Sequence, residues 1–177
     1  MILIAGLCGC AIYDSKDGPM VTSSPVLEPS SGYPPGFSVS VPVFSMPIQE
    51  AGAKLTQYSL VGVVGLPITY EYIFNEKDKE NLHVSVVQSL EASGVTVLPG
   101  APATLTAEFE FAGMVKAGHG YAVPLLKGTL TVTSNGTEVH RKFEVLGEKK
   151  ASVIASKHSG IRIFVAEVHD LLKSTTP

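Results

Sequence analysis

The sequence has little cysteine and no long apolar run beyond its N-terminus. Its two cysteines, Cys8 and Cys10, are separated by one residue, a spacing that disfavours a disulfide because bridge geometry rarely fits such close neighbours. No other cysteine is present to staple the fold or to complete a zinc ligand set. No later segment reaches about 18 consecutive apolar residues, so we expect no transmembrane helix.

Charge and catalytic motifs are also scarce. Lys, Arg, Asp and Glu make up 16% of the 177 residues, compared with about 25% in a typical globular chain. The net charge of −3 and the lack of a basic stretch argue against a nucleic-acid partner. The sequence contains no nucleophile elbow, phosphate loop, dinucleotide fingerprint or His-Glu-x-x-His motif. We therefore expect no enzymatic activity, no metal and no cofactor.

The strongest signal in the sequence is at the N-terminus. Residues 1–9 form an uncharged apolar run that ends at Cys10, and a polar stretch follows. The tetrad from Leu7 to Cys10 resembles the bacterial lipobox, whose cysteine is lipidated and becomes the mature N-terminus. The resemblance implies that residues 1–9 are a signal peptide remnant and that Cys10 carries the acyl anchor. It also implies a periplasmic location, and Ala11 after the cysteine favours the outer membrane.

Two features of this segment depart from an ordinary signal peptide. Only nine residues precede Cys10, and none of them is Lys or Arg. We expect that the chain starts downstream of its natural initiation site or has been trimmed. The alternative is that residues 1–12 form a buried strand or an apolar tip.

Residues 10–36 are predicted to be a flexible tether. This segment is rich in Pro, Ser and Gly and has no apolar periodicity, as is typical of a linker. The alternative is an ordered arm, with Tyr33 and Pro34 docked on the domain. Residues 37–177 are then expected to form one periplasmic domain, because their length suits a single core.

The first half of this domain has a mixed pattern. Alternation from Phe37 to Phe44 predicts a strand that Pro42 makes an edge or terminating one. In residues 48–74, the spacing of Ile48, Ala51, Leu55 and Tyr58 suits a short helix, and the stretches 61–65 and 68–73 suit strands. Asn75 is a predicted N-cap for a helix that ends before Gly94.

The second half has a clearer pattern. After a short strand at 95–98, alternating residues predict strands over 104–111, 126–133 and 138–145, the last two joined by a tight turn at Asn135–Gly136. A closing amphipathic helix is expected after Ser159 and Gly160. The predicted fold class is α+β: a mostly antiparallel sheet of four to six strands with two amphipathic helices packed on one face.

This order of elements, together with the lipobox, resembles small Gram-negative outer-membrane lipoproteins of the YajG-like type. More loosely, it is similar to the lipopolysaccharide-assembly lipoprotein LptE. The likeness covers about residues 37–173 as an architecture. It implies a cell-envelope protein that binds other envelope components.

The candidate binding site is the stretch Val115–Pro124, predicted to be a Gly-rich loop between two strands. It presents Lys116, His119 and Tyr121, and loops on a rigid sheet often carry binding residues. The alternative is an ordinary mobile connection. Glu108 and Glu110 are expected on a solvated sheet face. The five histidines lack metal-ligand spacing, and we expect structural roles for them: His83, His119, His140, His158 and His169.

Together these patterns predict a lipid-anchored accessory or scaffold protein that contacts the membrane through its anchor. We expect it to bind another envelope protein through its open sheet face or the 115–124 loop. The alternative is a subunit that handles lipid or glycolipid within an envelope transport system, using the groove between the helices and the sheet.

Overall fold

The computed structural model describes residues 13–14, 32–46, 53–61, 64–118 and 121–175, with side chains described except at 13–14, 57–68 and 70. The predicted signal peptide remnant, Cys10 and most of the tether lie outside these ranges. The elements are, in chain order, β1 Tyr13–Asp14, β2 Ser38–Ser40, β3 Ala53–Val61, β4 Val64–Tyr72, α1 Glu76–Ala92, β5 Thr96–Val97, β6 Ala103–Lys116, β7 Ala122–Ser134, β8 Thr137–Leu146 and α2 Val153–Thr175.

The main sheet has five strands in the order β5-β2-β6-β7-β8. β6, β7 and β8 form an antiparallel meander, whereas β2 pairs in parallel with both β5 and β6. The second, smaller sheet has the order β1-β4-β3. The predicted α+β class is confirmed, but the main sheet is mixed rather than purely antiparallel. The β3–β4 hairpin and α1 come between β2 and β5, and such a crossover lets the two strands run parallel.

Helix α1 begins and ends where the sequence predicts. The Asn75 side chain accepts a hydrogen bond from the Asp78 backbone N–H at 3.0 Å, and the Asp78 carboxylate accepts one from the Asn75 backbone N–H at 2.8 Å. This capping box satisfies two N–H groups that a helix start leaves unpaired. Gly94 follows the helix with a φ of +81°, a conformation that favours glycine.

Helix α2 is longer than predicted, because Ser159 and Gly160 lie inside it instead of before it. Gly160 packs against the ring of Pro124 in β7, where a Cβ atom would come within 2.6 Å of the ring. The Ser159 hydroxyl donates to the Ser156 carbonyl at 2.6 Å, so it does not cap a helix end. Close packing on the sheet, and not a helix boundary, therefore explains these two small residues.

Two other predictions in the first half are wrong. The strand predicted over 37–44 stops at Ser40, and the side chain of Val43 is 83% exposed. The short helix predicted around Leu55 and Tyr58 is strand β3, while Ile48 and Ala51 lie outside the described residues. The strand predicted near 68–73 is confirmed as part of β4. The few apolar residues of β3 fit both the period of a helix and the period of a strand. Pairing with β4 therefore decides its conformation.

The predicted turn at Asn135–Gly136 is confirmed. Both residues have positive φ, +51° and +75°, as a two-residue hairpin turn requires. Between β6 and β7 the register shifts at Phe109 and Phe111, and Gly128 lies opposite this bulge. A Cβ atom at Gly128 would overlap the carbonyl oxygen of Glu108, so the close approach of the two strands requires glycine there.

Both helices bury their apolar stripes against the same core. The stripe of α1 and that of α2 join the inward-facing residues of β6, β7 and β8 in one cluster. Four aromatic rings fill its centre with edge-to-face and tilted contacts at centroid distances of 5.1–6.2 Å. These rings belong to Phe44, Phe109, Phe143 and Phe164. The prediction of two helices packed on one sheet face is thereby confirmed.

Candidate functional site

The predicted loop at 115–124 is mostly strand. Val115 and Lys116 end β6, and Ala122 to Pro124 begin β7, so only the turn 117–121 connects them. The Ala117 N–H donates to the Tyr121 carbonyl at 3.0 Å and closes this turn. The length predicted for the loop is therefore wrong: its glycines favour a turn, but strand pairing extends the ladder to Lys116 and Ala122.

Two of the three predicted binding residues flank this turn and are exposed, namely Lys116 and Tyr121. His119 lies outside the described residues. The two described residues are therefore close to each other at the sheet end, because Lys116 pairs with Ala122 next to Tyr121. No hydrogen bond or ion pair ties either side chain down within the described part of the chain, so both remain accessible to a ligand.

The segment 147–152, which links β8 to α2, lies beside this turn. The Lys149 ammonium lies next to Gly118, within 3.5 Å of where a Cβ atom would be. Lys150 forms an ion pair with Glu148, and Arg162 from α2 approaches the same carboxylate at 3.6 Å. The hydrogen bond from Lys150 and its charge lower the pKa of Glu148. Sequence reasoning missed this cluster, although the Glu-Lys-Lys run at 148–150 signals charge.

Two buried serines hold this link in place. The Ser156 hydroxyl donates to the Glu148 carbonyl at 2.7 Å, and the Glu148 N–H donates to the Ser159 hydroxyl at 2.7 Å. Ser156 also reaches the Ala122 carbonyl at 3.3 Å, so α2 binds the link and the start of β7 together. The charged residues around the turn therefore stand on a scaffold whose backbone hydrogen bonds are satisfied.

A second charged pair joins the first turns of the helices. Lys157 of α2 donates to the Asp78 carboxylate of α1 at 2.6 Å, and the two side chains are 14% and 15% exposed. Asp78 accepts this bond while it also serves as the capping residue of α1. Ser89 and His169 meet farther along the same two helices. The helices therefore run parallel, with both N-termini at the end of the domain that holds the turn 117–121.

The outer face of β6–β8 is polar and is the face that the helices leave uncovered. Lys127 pairs with Glu144 at 2.9 Å, and Thr131 bonds to His140 at 2.9 Å. Glu108 is exposed on this face, in agreement with the prediction of a solvated sheet face. Glu110 is exposed as well, but the bulge at Phe109 and Phe111 separates it from the regular alternation.

A buried hydrogen-bonded histidine joins three segments. The Tyr33 hydroxyl is hydrogen-bonded to Nδ1 of the His169 ring at 2.6 Å. The Ser89 hydroxyl is hydrogen-bonded to Nε2 of the same ring at 2.8 Å. Burial raises the pKa of Tyr33 and lowers the pKa of His169, so both groups are neutral, and one ring nitrogen of His169 donates a hydrogen bond while the other accepts one. This role is structural, as predicted. It also places Tyr33 on the domain, which is the ordered-arm alternative for the end of the tether.

Two clefts among the described residues lie outside the space between the helices and the sheet. One, of about 290 Å³, lies beside the Asn135 turn at the end of the domain opposite to the turn 117–121, and its walls include Pro34, Phe37 and Val132. The other, of about 310 Å³, lies next to Pro42 and Glu108. Where the sequence suggested a groove for lipid, aromatic rings fill the space.

Within the described ranges, no group of three or more His, Cys, Asp or Glu side chains converges as metal ligands. None of the helices in the described ranges is both long and apolar enough to cross a bilayer.

The fold has a counterpart among solved structures. The crystal structure of protein XCC0632 from Xanthomonas campestris, of family DUF330, matches with a TM-score of 0.58 at 14% identity, covering 84% of this chain and 91% of that chain. The fold is shared with a DUF330 protein. A crystal structure titled only as an uncharacterized protein matches with a TM-score of 0.45 at 15% identity, covering 82% of this chain and 99% of that one, and carries no argument.

No protein-family model matches the sequence, and no curated relative matches it. The likeness to the DUF330 protein of Xanthomonas campestris is a likeness between two structures. At 14% identity it concerns the fold. The narrower resemblance to YajG-like lipoproteins stays a prediction.

Proposed function

We propose that this protein is a lipid-anchored accessory or scaffold protein of the bacterial cell envelope, related to YajG-like lipoproteins. Its acyl group on Cys10 holds the domain at the periplasmic face of the outer membrane. The open face of β6–β8 binds another envelope protein. The protein performs no catalysis and requires no cofactor in this role.

One observation carries the binding role: the helices cover one face of the main sheet, and the opposite face stays open. Most side chains on the open face of β7 and β8 are polar and are exposed or half-buried, including Lys127, Thr131, His140 and Glu144. Strands held in register by backbone hydrogen bonds present these groups in fixed rows. A rigid polar array of this kind suits recognition of a protein surface, where hydrogen bonds and charge complementarity give specificity.

The packing does not favour the alternative, a subunit that handles lipid or glycolipid. That function needs an apolar cavity, and ligand pockets of this kind usually measure about 300–1,000 Å³ and are largely pre-formed. The space between helices and sheet is instead occupied by the rings of Phe109, Phe143 and Phe164. We therefore base the proposal on surface binding.

The lipid anchor is tested by membrane fractionation of cells that express the Cys10→Ser variant. The wild-type chain should sediment with outer membranes, and Cys10→Ser should appear in a soluble fraction because no thioether can form. Cys8→Ser is the matched control and should behave as wild type. A Cys10→Ser chain that stays fully membrane-bound would disprove the anchor.

The binding face is tested by site-specific photocrosslinking in intact cells. A photoreactive amino acid at His140, on the open face, should give one discrete protein adduct. The same group at Glu91, an exposed position on α1, is the control and should give none. Equal adducts from both positions, or none from His140, would contradict binding through the sheet face.

A further inference from the structure

One end of the domain concentrates positive charge. We call it the basic pole: the turn 117–121, the link 147–152 and the first turns of α1 and α2, with Lys116 and Arg162 at its margins. The pole carries seven basic side chains and four acidic ones. The basic ones are Lys77, Lys79, Lys116, Lys149, Lys150, Lys157 and Arg162, and the acidic ones are Glu76, Asp78, Glu80 and Glu148.

This charge distribution differs from that of the chain as a whole, whose formal net charge is −3. The excess at the pole is positive, so the remainder of the chain is strongly acidic. Four of the basic groups are committed to carboxylates: Lys79 to Glu76, Lys157 to Asp78, and both Lys150 and Arg162 to Glu148. Lys77, Lys116 and Lys149 have no ion-pair partner among the described residues. They are available to an external anion.

The pole also exposes apolar side chains among these cations. Tyr121 is 45% exposed, Leu146 54% and Ile154 37%. They come from three different elements, the turn, the end of β8 and the first turn of α2. Large apolar groups are seldom exposed together beside lysines on a surface that only meets water. An aromatic ring with a polar tip, aliphatic groups and lysines are the composition that binds a membrane interface.

We propose that the basic pole binds the surface of a bilayer containing anionic phospholipid headgroups. It would be a second contact with the membrane, beside the acyl anchor. The choice of an anionic bilayer follows from the sign of the charge and the exposed apolar groups. The clefts beside Asn135 and beside Pro42 both lie away from the pole.

The connection to the tether allows this orientation. Gly32 lies near the Lys173 side chain, so the tether joins the domain at the C-terminal end of α2, opposite to the pole. Helix α2 has 23 residues and spans about 34 Å. Cys10 lies three residues before β1, whose Asp14 pairs with Glu71 of β4, and Glu71 is only five residues before the start of α1 at the pole, so the anchor and the pole can contact one bilayer. In this respect alone the inference rests on the proposed lipid anchor.

The test measures sedimentation of the full chain with lipid vesicles. The chain carries Cys10→Ser, so that no acyl group contributes to binding. Vesicles contain either phosphatidylcholine alone or phosphatidylcholine with about a third phosphatidylglycerol. The chain should bind the anionic vesicles and not the neutral ones. Binding should weaken steeply in about 0.5 M salt, roughly three times physiological ionic strength, because screening shortens the range of the attraction.

Two double variants, each removing two positive charges, assign the binding to the pole. Lys116→Gln with Lys149→Gln should weaken binding to the anionic vesicles by about 10–30-fold, since each lysine near such a surface contributes roughly one decade or less. Arg141→Gln with Lys142→Gln, in β8 near the C-terminal end of α2 and opposite to the pole, is the matched control and should bind as the parent chain does. Thermal unfolding of all chains checks that folding is unchanged.

A third variant tests the apolar contribution. Ile154→Ser should weaken vesicle binding several-fold, because the serine side chain cannot replace the contact that the isoleucine side chain makes with lipid in the interface. The proposal is overturned if the parent chain binds neutral and anionic vesicles equally, if the pole variant binds like the parent, or if the control loses as much.

Absence of vesicle binding, combined with crosslinks from the pole to an envelope protein, would overturn the bilayer in favour of a protein ligand. Because the chain in this test carries no acyl group, failure here leaves the Cys10 fractionation and the His140 crosslinks unaffected. Conversely, loss of the anchor would not change the vesicle result.

Discussion

The Tyr33 hydroxyl lies 2.6 Å from Nδ1 of His169, a residue 136 positions away in the chain. Tyr33 also stacks on Phe37 with a centroid distance of 5.6 Å, and the ammonium of Lys173 lies 6.0 Å from the centre of its ring. The segment just before β2 is thereby attached to α2, and through Ser89 to α1. The point at which the tether leaves the domain is fixed by this contact.

Removing the Tyr33 hydroxyl should destabilise the domain. Tyr33→Phe leaves Nδ1 of His169 without its hydrogen-bond partner, and a buried polar atom without a partner costs about 1–3 kcal/mol. Urea denaturation at pH 7.5 measures the free energy of unfolding. Tyr121→Phe, which removes an exposed hydroxyl, is the control and should change it by less than about 0.5 kcal/mol. Equal effects of the two variants would contradict a stabilising role for the buried bond.

Stability should fall in mildly acidic solution because of buried histidines. Burial lowers the pKa of His169, with Lys173 acting in the same direction and Asp170 opposing it, and burial lowers the pKa of His83. As the pH falls, these histidines therefore bind protons in the unfolded chain before they do so in the folded chain. The stability that the neutral histidines contribute to the folded chain is complete above the ordinary histidine pKa of about 6.5 and is lost as the pH falls below it.

Urea denaturation at pH 7.5 and at pH 5.5 measures this loss. His169→Gln removes one titrating group while keeping a polar side chain, so the difference between the two pH values should shrink. His158→Gln, which changes a half-buried histidine for which the structure shows no side-chain hydrogen bond, is the control. A difference that stays the same in His169→Gln would contradict the assignment to His169.

The ion pair between Asp78 and Lys157 should contribute more to stability than an exposed pair. Lys157→Met leaves the Asp78 carboxylate with its capping bond but without its cation in a largely buried place, and we expect a loss of about 1.5–3 kcal/mol. The comparison is Lys150→Met, which breaks the exposed pair with Glu148 and should cost clearly less, because water screens an exposed pair. A larger loss in Lys150→Met would reverse this ranking.

Adding a methyl group at Gly128 should destabilise the sheet severely. In Gly128→Ala the new Cβ atom overlaps the Glu108 carbonyl oxygen, so β6 and β7 have to separate at the bulge. Overpacking of this kind typically costs about 1–3 kcal/mol, and backbone displacement raises the cost. Gly100→Ala has open space around the new atom and only a strained φ, and it serves as the comparison. Thermal unfolding should show the lower melting temperature for Gly128→Ala.

Local pattern was enough to predict β6, β7, β8 and α1. Alternation along the strands places Leu105, Leu130 and Phe143 inward, and each is buried. The capping pair of Asn75 and Asp78 is readable because its two residues are only three apart. These features depend on neighbours in sequence, so periodicity and turn chemistry suffice.

Contacts between distant segments explain what the sequence did not predict. Strand β3 has too few apolar residues to separate helix from strand, and pairing with β4 decides its conformation. Gly160 resembles a helix boundary until Pro124 is seen against it. The cations of the basic pole are spread from Lys77 to Arg162 in the chain and meet only because the two helices run parallel.

By itself the sequence determined the α+β class, the helix-covered sheet and the residues at the turn between β6 and β7, because each follows from local spacing of apolar and turn-forming residues. Only the tertiary structure decided the parallel pairing of β2, the attachment of Tyr33 to His169 and the clustering of positive charge at one end. These features join residues far apart in the chain, and the energy of such contacts is not encoded in any short stretch of it.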